Sequence, residues 1–327
     1  MRRIAVVAAV LGAGGVIAGC GGSTTTSDHS KATPSSRAAS AKTFLIIGEN
    51  TSASQITAAH APYLVDTLKP RAAWLTSYHS FTNSSSLGNY IAMTSGQFTR
   101  CEANNDLPTT CHQSIGNVFQ QLQSTGRTWF EFNESAANAC DIVDHGAAWS
   151  KNIYSAHHNP ALYFRGLQGG RVDEAIAPAL PCRTQDLPMG TTGPDDTSAF
   201  EAALRNGDVG AFNLVVPNDC ENGHDLCGTH DRVRQFDDFL AREVPKIESS
   251  PAFGTDGTIL ITWDEGADPP HDPGHVLLAA LGPLVRPGAV DRARRDHYGL
   301  ERTLAEGFGL APLAHARHAT SIESIWR

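Results

Sequence analysis

From Thr43 onward, apolar runs of strand length alternate with helix-length stretches. Phe44-Leu45-Ile46-Ile47 is continuously apolar and predicts a strand covered on both faces. Ala53 to Leu68 and Ile115 to Thr125 read as helices, with Trp129 to Phe132 a short strand after them. Phe212 to Val216 and Thr258 to Thr262 are further strands. Between them, Val233, Phe236, Phe239, Leu240 and Val244 recur at helical spacing across Asp231 to Ile247. Leu277 to Leu281 reads as a late strand and Tyr298 to Phe308 as a closing helix. Such alternation is the mark of an α/β fold built on a mostly parallel sheet. No internal repeat or second linker interrupts it, so residues 43–327 are expected to form one domain.

The pattern differs before residue 43. Arg2 and Arg3 precede an uncharged stretch from Ile4 to Ala18, and Ile17-Ala18-Gly19-Cys20 follows at once, which predicts a secretory signal over residues 1–19. The stretch is shorter than a membrane-spanning helix and rich in Gly and Ala. The small residues before Cys20 resemble a bacterial lipobox, which implies a diacylated Cys20 as the mature N-terminus; an ordinary cleaved signal is the alternative. Residues 21–42 contain ten Ser or Thr and almost nothing apolar, so they cannot order themselves by burial. Residues 20–42 therefore read as a lipid-anchored tether with a reach of about 25 Å. The expected location is the extracytoplasmic face of a cell membrane, or the secreted fraction.

With 327 residues, 41% hydrophobic and 18% charged, the chain has ample material for a core, and collagen-like or coiled-coil readings are excluded. Its net charge of −9, without basic runs, argues against a nucleic-acid partner. Setting aside Cys20, the remaining Cys101, Cys111, Cys140, Cys182, Cys220 and Cys227 are an even six, as an oxidising compartment favours. Short intervals favour Cys101–Cys111 and Cys220–Cys227, which leaves Cys140–Cys182. No CxxC or closely spaced CxH pair is present, so a structural zinc is not expected.

In a parallel α/β sheet the ligands gather beyond the carboxyl ends of the strands. Three strand ends here are polar: Gly48-Glu49-Asn50, Pro217-Asn218-Asp219 and Trp263-Asp264-Glu265. Carboxylates brought to one sheet edge repel each other unless a cation offsets them. Oxygen donors suit a hard divalent ion such as Ca²⁺ or Mg²⁺ better than a thiolate metal, with Zn²⁺ left open.

Eight stretches in order, IIGENTSASQI, SSSLGNYIAMTSG, FEFNESAANAC, HHNPALYF, NLVVPNDCENGHD, ILITWDEG, LGPLVRPG and DHYGLERTLAEGFGL, resemble the bacterial and fungal acid phosphatase and phospholipase C family, a branch of the alkaline phosphatase superfamily. The pattern is most similar to small secreted acid phosphatases, including those acting on phosphatidylinositol 3-phosphate. The resemblance implies a three-layer α/β/α sandwich with an alkaline-phosphatase-like, mostly parallel central sheet. It implies metal ligation by Glu49 and Asn50, completed by Asp264 and Glu265, and a hydroxyl nucleophile at Ser86. Gly88 stands where the family usually has proline, and Ser84 and Ser85 are adjacent candidates for the nucleophile. Asn89 matches an asparagine that donates to a phosphate oxygen. His224 and Asp225 match a pair holding either a second metal or the leaving group. His275 and His297 are further partners, and His224 or His297 is expected to protonate the leaving alkoxide. His158 matches a motif read as structural, and Glu134 a motif consistent with a loop role.

These residues lead to the expectation of a metal-assisted phosphomonoesterase forming a phosphoseryl intermediate. Its substrate would be a phosphomonoester, with phosphoinositides in the range. It would work as a monomer, touching the membrane through its lipid anchor. A phospholipase C-type phosphodiesterase would use the same nucleophile and metal, and a non-catalytic surface-binding lipoprotein would keep only the fold.

Overall fold

The strand predicted at 44–47 forms as β1 (Lys42–Gly48), with Phe44 to Ile47 fully buried. The computed structural model that contains it describes residues 42–327 apart from 83–84, 148–149, 152, 171, 174–176, 229–230 and 268–273. The expected signal, the anchor Cys20 and almost all of the tether lie outside the described residues, as does Ser84. Eight further strands follow: β2 (Ala73–His79), β3 (Trp129–Asn133), β4 (Asp186–Pro188), β5 (Phe212–Val216), β6 (Gly257–Trp263), β7 (His275–Leu281), β8 (Val290–Asp291) and β9 (Arg295–Asp296). Their order is β4-β3-β5-β1-β6-β7-β2-β8, with β9 also on β2. From β4 to β6 every neighbour is parallel. β7 turns the direction, running antiparallel to both β6 and β2. The central strands are the continuous apolar runs, as a sheet covered on both faces requires.

The helices are α1 (Ser86–Ser95), α2 (Val118–Ser124), α3 (Arg165–Gln168), α4 (Leu180–Gln185), α5 (Ser198–Asn206), α6 (Arg232–Ser249) and α7 (His297–Gly307). α1 packs against α7 and α2, whereas α6 packs against α5 and the turn at Tyr63–Leu68. The result is the expected α/β/α sandwich with a mostly parallel sheet. Each long helix starts at a polar cap: Asp231 accepts from Arg234 N–H, and Asp296 from Gly299 N–H.

Local chemistry explains the departures from expectation. The helix predicted over 53–68 is two separate turns, Ala53–Gln55 and Tyr63–Leu68, because Pro62 admits only the start of a helix. The helix predicted over 115–125 starts at Val118, where the Asn117 side chain accepts from Gln120 N–H. β2, α1, α5 and the three-residue β4 add to the predicted set. The cysteines pair as expected, Cys101–Cys111, Cys140–Cys182 and Cys220–Cys227.

Candidate functional site

β1 and β6 lie side by side with Gly48 opposite Trp263, so Glu49 and Asp264 leave the sheet at the same level. Gly48 is required there: a Cβ would fall 2.6 Å from the Phe236 ring and from Trp263 Nε1. Asn50 follows in the left-handed region at φ 46°, which asparagine tolerates. That turn aims its N–H at Asp264 Oδ1, 3.0 Å away, and its amide at Glu49 Oε2, 3.3 Å away. The two strand ends are thereby tied into one acidic floor.

α1 brings the hydroxyl. Ser85 caps the helix, accepting from Gly88 N–H and contacting the Glu102 carbonyl and Asn105, so its side chain is committed to structure. Ser86, the first residue of the helix, donates to Glu49 Oε2 at 3.0 Å. One turn later Tyr90 donates to Glu49 Oε1 at 2.8 Å, so residues four apart on one helix face grip the same carboxylate. The helix N-terminus favours negative charge at Ser86 Oγ. Gly88, at the position where proline was expected, leaves room for Phe98, whose ring would lie 2.7 Å from a Cβ.

Asn89 corrects an expectation. Its amide donates to Thr82 O, Ser85 O and Glu265 Oε2, and its oxygen accepts from Phe81 and Thr82 N–H. Fully buried and fully bonded, it fastens the loop before Ser86 instead of presenting a free donor. Glu265 is held in turn by Ser85 N–H at 3.1 Å.

Burial, reinforced by Asp264, pushes the Glu49 carboxyl well above its ordinary range. Glu265 is pushed up to about 8, again by burial first and Asp264 second. Asp264 Oδ2 is buried without a hydrogen-bond partner.

A histidine group closes the other side. His158 is buried, its Nδ1 3.0 Å from Asp219 Oδ1 and its Nε2 3.6 Å from Glu49 Oε1, beyond hydrogen-bond length. Burial alone would raise the Asp219 carboxyl, but His158, His224 and Ser155 outweigh it and leave it lowered. The His224 ring stands 5.5 Å from that of His158, and its Nδ1 lies 3.0 Å from Asp225 Oδ1. His157 packs 4.2 Å from His158, and burial together with that neighbour pushes it down to about 2.

Two expected histidines sit elsewhere. His297 is fully buried with both nitrogens engaged, Nδ1 with Tyr78 Oη at 2.8 Å and Nε2 with the Asp264 carbonyl at 2.6 Å. It braces the Asp264 turn and has no nitrogen left for a leaving group. His275 stacks on His79 and bonds the Thr76 carbonyl, on the β2 flank. His158, read from its motif as structural, faces Glu49. Glu134 does have the loop role, accepting from Asn218 N–H at 3.0 Å. Asp219 and Tyr90 were not singled out as site residues. Asp219 ends one of the three polar strand ends, and Tyr90 lies one helical turn past Ser86.

The Phosphoesterase family matches residues 50–311. The chain belongs to the phosphoesterase family. No curated protein matches this phosphoesterase by sequence. Among solved structures, it is similar to a protein in the alkaline phosphatase superfamily from Vibrio parahaemolyticus, at 14% identity and a TM-score of 0.54, covering 82% of this chain and 66% of that one. It is also similar to murine ectonucleotide pyrophosphatase/phosphodiesterase 5 in complex with AMP, at 9% identity and a TM-score of 0.54, covering 84% and 96%. A phosphonate monoester hydrolase of Agrobacterium radiobacter gives 11% identity and a TM-score of 0.54, covering 88% and 78%. At these identities the likeness is one of fold.

The donor set of the phosphoesterase fits a divalent cation. Glu49, Asp264 and Glu265 offer carboxylate oxygens at two adjoining strand ends, Glu49 bonds the Ser86 hydroxyl, the Asp264 Oδ2 oxygen lacks a hydrogen-bond partner, and the mutual repulsion of the three is relieved by positive charge. Among the described residues, the groups of three donor atoms that lie within 4.8 Å of one another are Cys101-Glu102-Cys111 and Cys140-Cys182-Asp186; both contain disulfide sulfurs and offer no thiolate.

Proposed function

We propose that this phosphoesterase is a divalent-metal-assisted phosphomonoesterase with Ser86 as nucleophile. The observation that carries the reading is the Ser86 hydroxyl, at the N-terminus of α1 and 3.0 Å from Glu49 Oε2, on the acidic floor shared with Asp264 and Glu265. Glu49, Asn50, Asp264 and Glu265 would hold a divalent cation, which would supply positive charge beside Ser86 and the phosphoryl group. Glu49 and Tyr90 fix the direction of the hydroxyl. Ser86 Oγ forms the new P–O bond as the ester P–O bond breaks, and its hydroxyl proton passes to Glu49 Oε2, which already accepts its hydrogen bond. The departing alkoxide takes a proton from His224, and water later hydrolyses the phosphoseryl ester. His158, its ring oriented by Asp219, directs Nε2 toward the same space and donates to a phosphoryl oxygen.

The substrate is a phosphomonoester, and the family resemblance favours a phosphoinositide headgroup. The domain acts as a monomer tethered through lipidated Cys20; Cys20→Ser is expected to release it from membranes, and retention in the membrane fraction refutes the anchor. The decisive test is phosphate release from p-nitrophenyl phosphate, bis-p-nitrophenyl phosphate and phosphatidylinositol 3-phosphate, with and without EDTA, beside Ser86→Ala. Monoester turnover lost to both treatments supports the reading. Diester turnover alone replaces it with a phosphodiesterase, and no turnover leaves a binding module.

A further inference from the structure

The loop from Cys220 to Cys227 carries His224 and Asp225, and one side chain outside it meets its backbone at three points. Gln235, buried on α6, donates from Nε2 to the carbonyls of Cys220 at 2.5 Å and Asp225 at 2.7 Å, and accepts at Oε1 from Cys227 N–H at 2.7 Å. The loop is joined to the nucleophile side as well. Glu49 N–H donates to the Asn222 carbonyl at 2.8 Å, and Asp225 N–H to the Asp219 carbonyl at 2.7 Å. Gly223 sits at φ 90° with a Cβ position 2.9 Å from the Arg232 carbonyl, so the loop passes close under the start of α6.

We infer that Gln235 is the positioning residue that sets His224 against the leaving group, acting as an amide clamp on the loop from α6. The inference rests on the proposed role of His224. The disulfide joins the two ends of this loop but does not by itself fix the six residues between them. The Gln235 amide bonds within it, at the residue after His224, and ties it to a long helix anchored in the core. A buried amide that satisfies two carbonyls and one N–H is hard to replace, because each group left unpaired keeps its desolvation cost.

A structural role and a positioning role predict different kinetics. Protonation of the leaving group matters for an alkyl phosphate and little for p-nitrophenyl phosphate, whose leaving group is stable as an anion. Gln235→Leu keeps the size and removes all three bonds. It is expected to lower kcat on an alkyl phosphate such as glycerol phosphate by about 10- to 100-fold, within the range of general-acid effects, and kcat on p-nitrophenyl phosphate by only a few-fold. KM is expected to change little for either. Gln235→Glu keeps the acceptor but faces two carbonyls with an anion, and is expected to be as selective for alkyl substrates as the leucine variant. His224→Asn sets the reference ratio. Equal losses on both substrates in Gln235→Leu, with the reference ratio intact, overturn the clamp.

Hydrogen–deuterium exchange supplies a readout independent of turnover. Exchange across residues 218–228 is expected to rise in Gln235→Leu while the β1 and β6 amides stay protected. Unchanged exchange in that loop overturns the clamp even if the wild-type protein proves inactive. Absence of monoester turnover, or a His224→Asn variant that loses both substrates equally, overturns the function proposed for His224 and leaves the exchange result to decide Gln235.

Discussion

Two buried acidic groups in this protein invite comparison. One is Glu49 with Asp264 and Glu265, at the carboxyl ends of β1 and β6. The other is Glu131 with Asp186, paired in register on β3 and β4. Both are buried, both contain carboxyls pushed above their ordinary range, and both contain an oxygen without a hydrogen-bond partner, Asp264 Oδ2 in one and Glu131 Oε1 in the other. Their neighbours separate them. Asp186 Oδ1 accepts from the amides of Asn133 at 2.8 Å and Asn159 at 2.9 Å, and Glu131 Oε2 from Ala161 N–H at 3.2 Å. Among the described residues, no hydroxyl is bonded to that pair. The first group binds Ser86 and Tyr90 at the start of a helix. Burial and raised proton affinity therefore do not mark a catalytic site by themselves. The interior pair is held by amide and backbone donors, whereas the edge cluster lies beside a hydroxyl and suits a cation.

The largest effect is expected from breaking the edge cluster at Ser86, the proposed nucleophile. Ser86→Ala removes a single oxygen, and kcat is expected to fall by at least about 10³-fold, as for other loss of a covalent nucleophile. Circular dichroism and the unfolding midpoint are expected to stay near wild type. Asp186→Asn is expected to leave kcat within a few-fold. Similar turnover in Ser86→Ala and wild type removes Ser86 from the mechanism.

Next in size is metal binding. Asp264→Asn is expected to lower bound divalent metal, measured by elemental analysis after dialysis, whereas Asp186→Asn keeps it. Unchanged metal content in Asp264→Asn counts against the site. Protons compete with a cation for the same oxygens, and Glu49 and Glu265 hold their protons tightly. Added metal is therefore expected to raise Tm more at pH 8 than at pH 5. An equal rise at both pH values indicates binding elsewhere.

The comparison also shows what sequence patterns carry. β1, β5, β6 and β7 were legible because central strands must be apolar throughout, and the polar residues that end β1 and β6 announced the acidic floor. The His158–Asp219 pair was harder to see, because its partners lie 61 residues apart and meet only when the loops after β3 and β5 fold together. Asn89 and His297 were assigned to chemistry because their motifs lie beside it. Only their bonding partners reveal that one holds a loop and the other a turn. β2 went unread since AWLTSYH mixes polar and apolar residues without regular alternation.

The smallest effect concerns stability, and it distinguishes the interior pair from the edge cluster. Asp186 is pushed up to about 7 by burial, against an ordinary value near 3.8, so the folded state binds its proton more tightly than the unfolded state does. Between those values the folded chain carries more protons, and stability falls as pH rises. Its contribution is fully present below about pH 4 and is lost by about pH 7, a change on the order of a few kcal/mol. Asparagine is neutral at every pH and nearly the same shape, so Asp186→Asn is expected to flatten the fall in urea midpoint between pH 4 and pH 7. Glu131, raised by burial and by Asp186, keeps part of the slope in that variant. A variant whose slope matches wild type means that Asp186 is ionised in the folded protein, and the interior pair then balances its charge by the Asn133 and Asn159 amides alone.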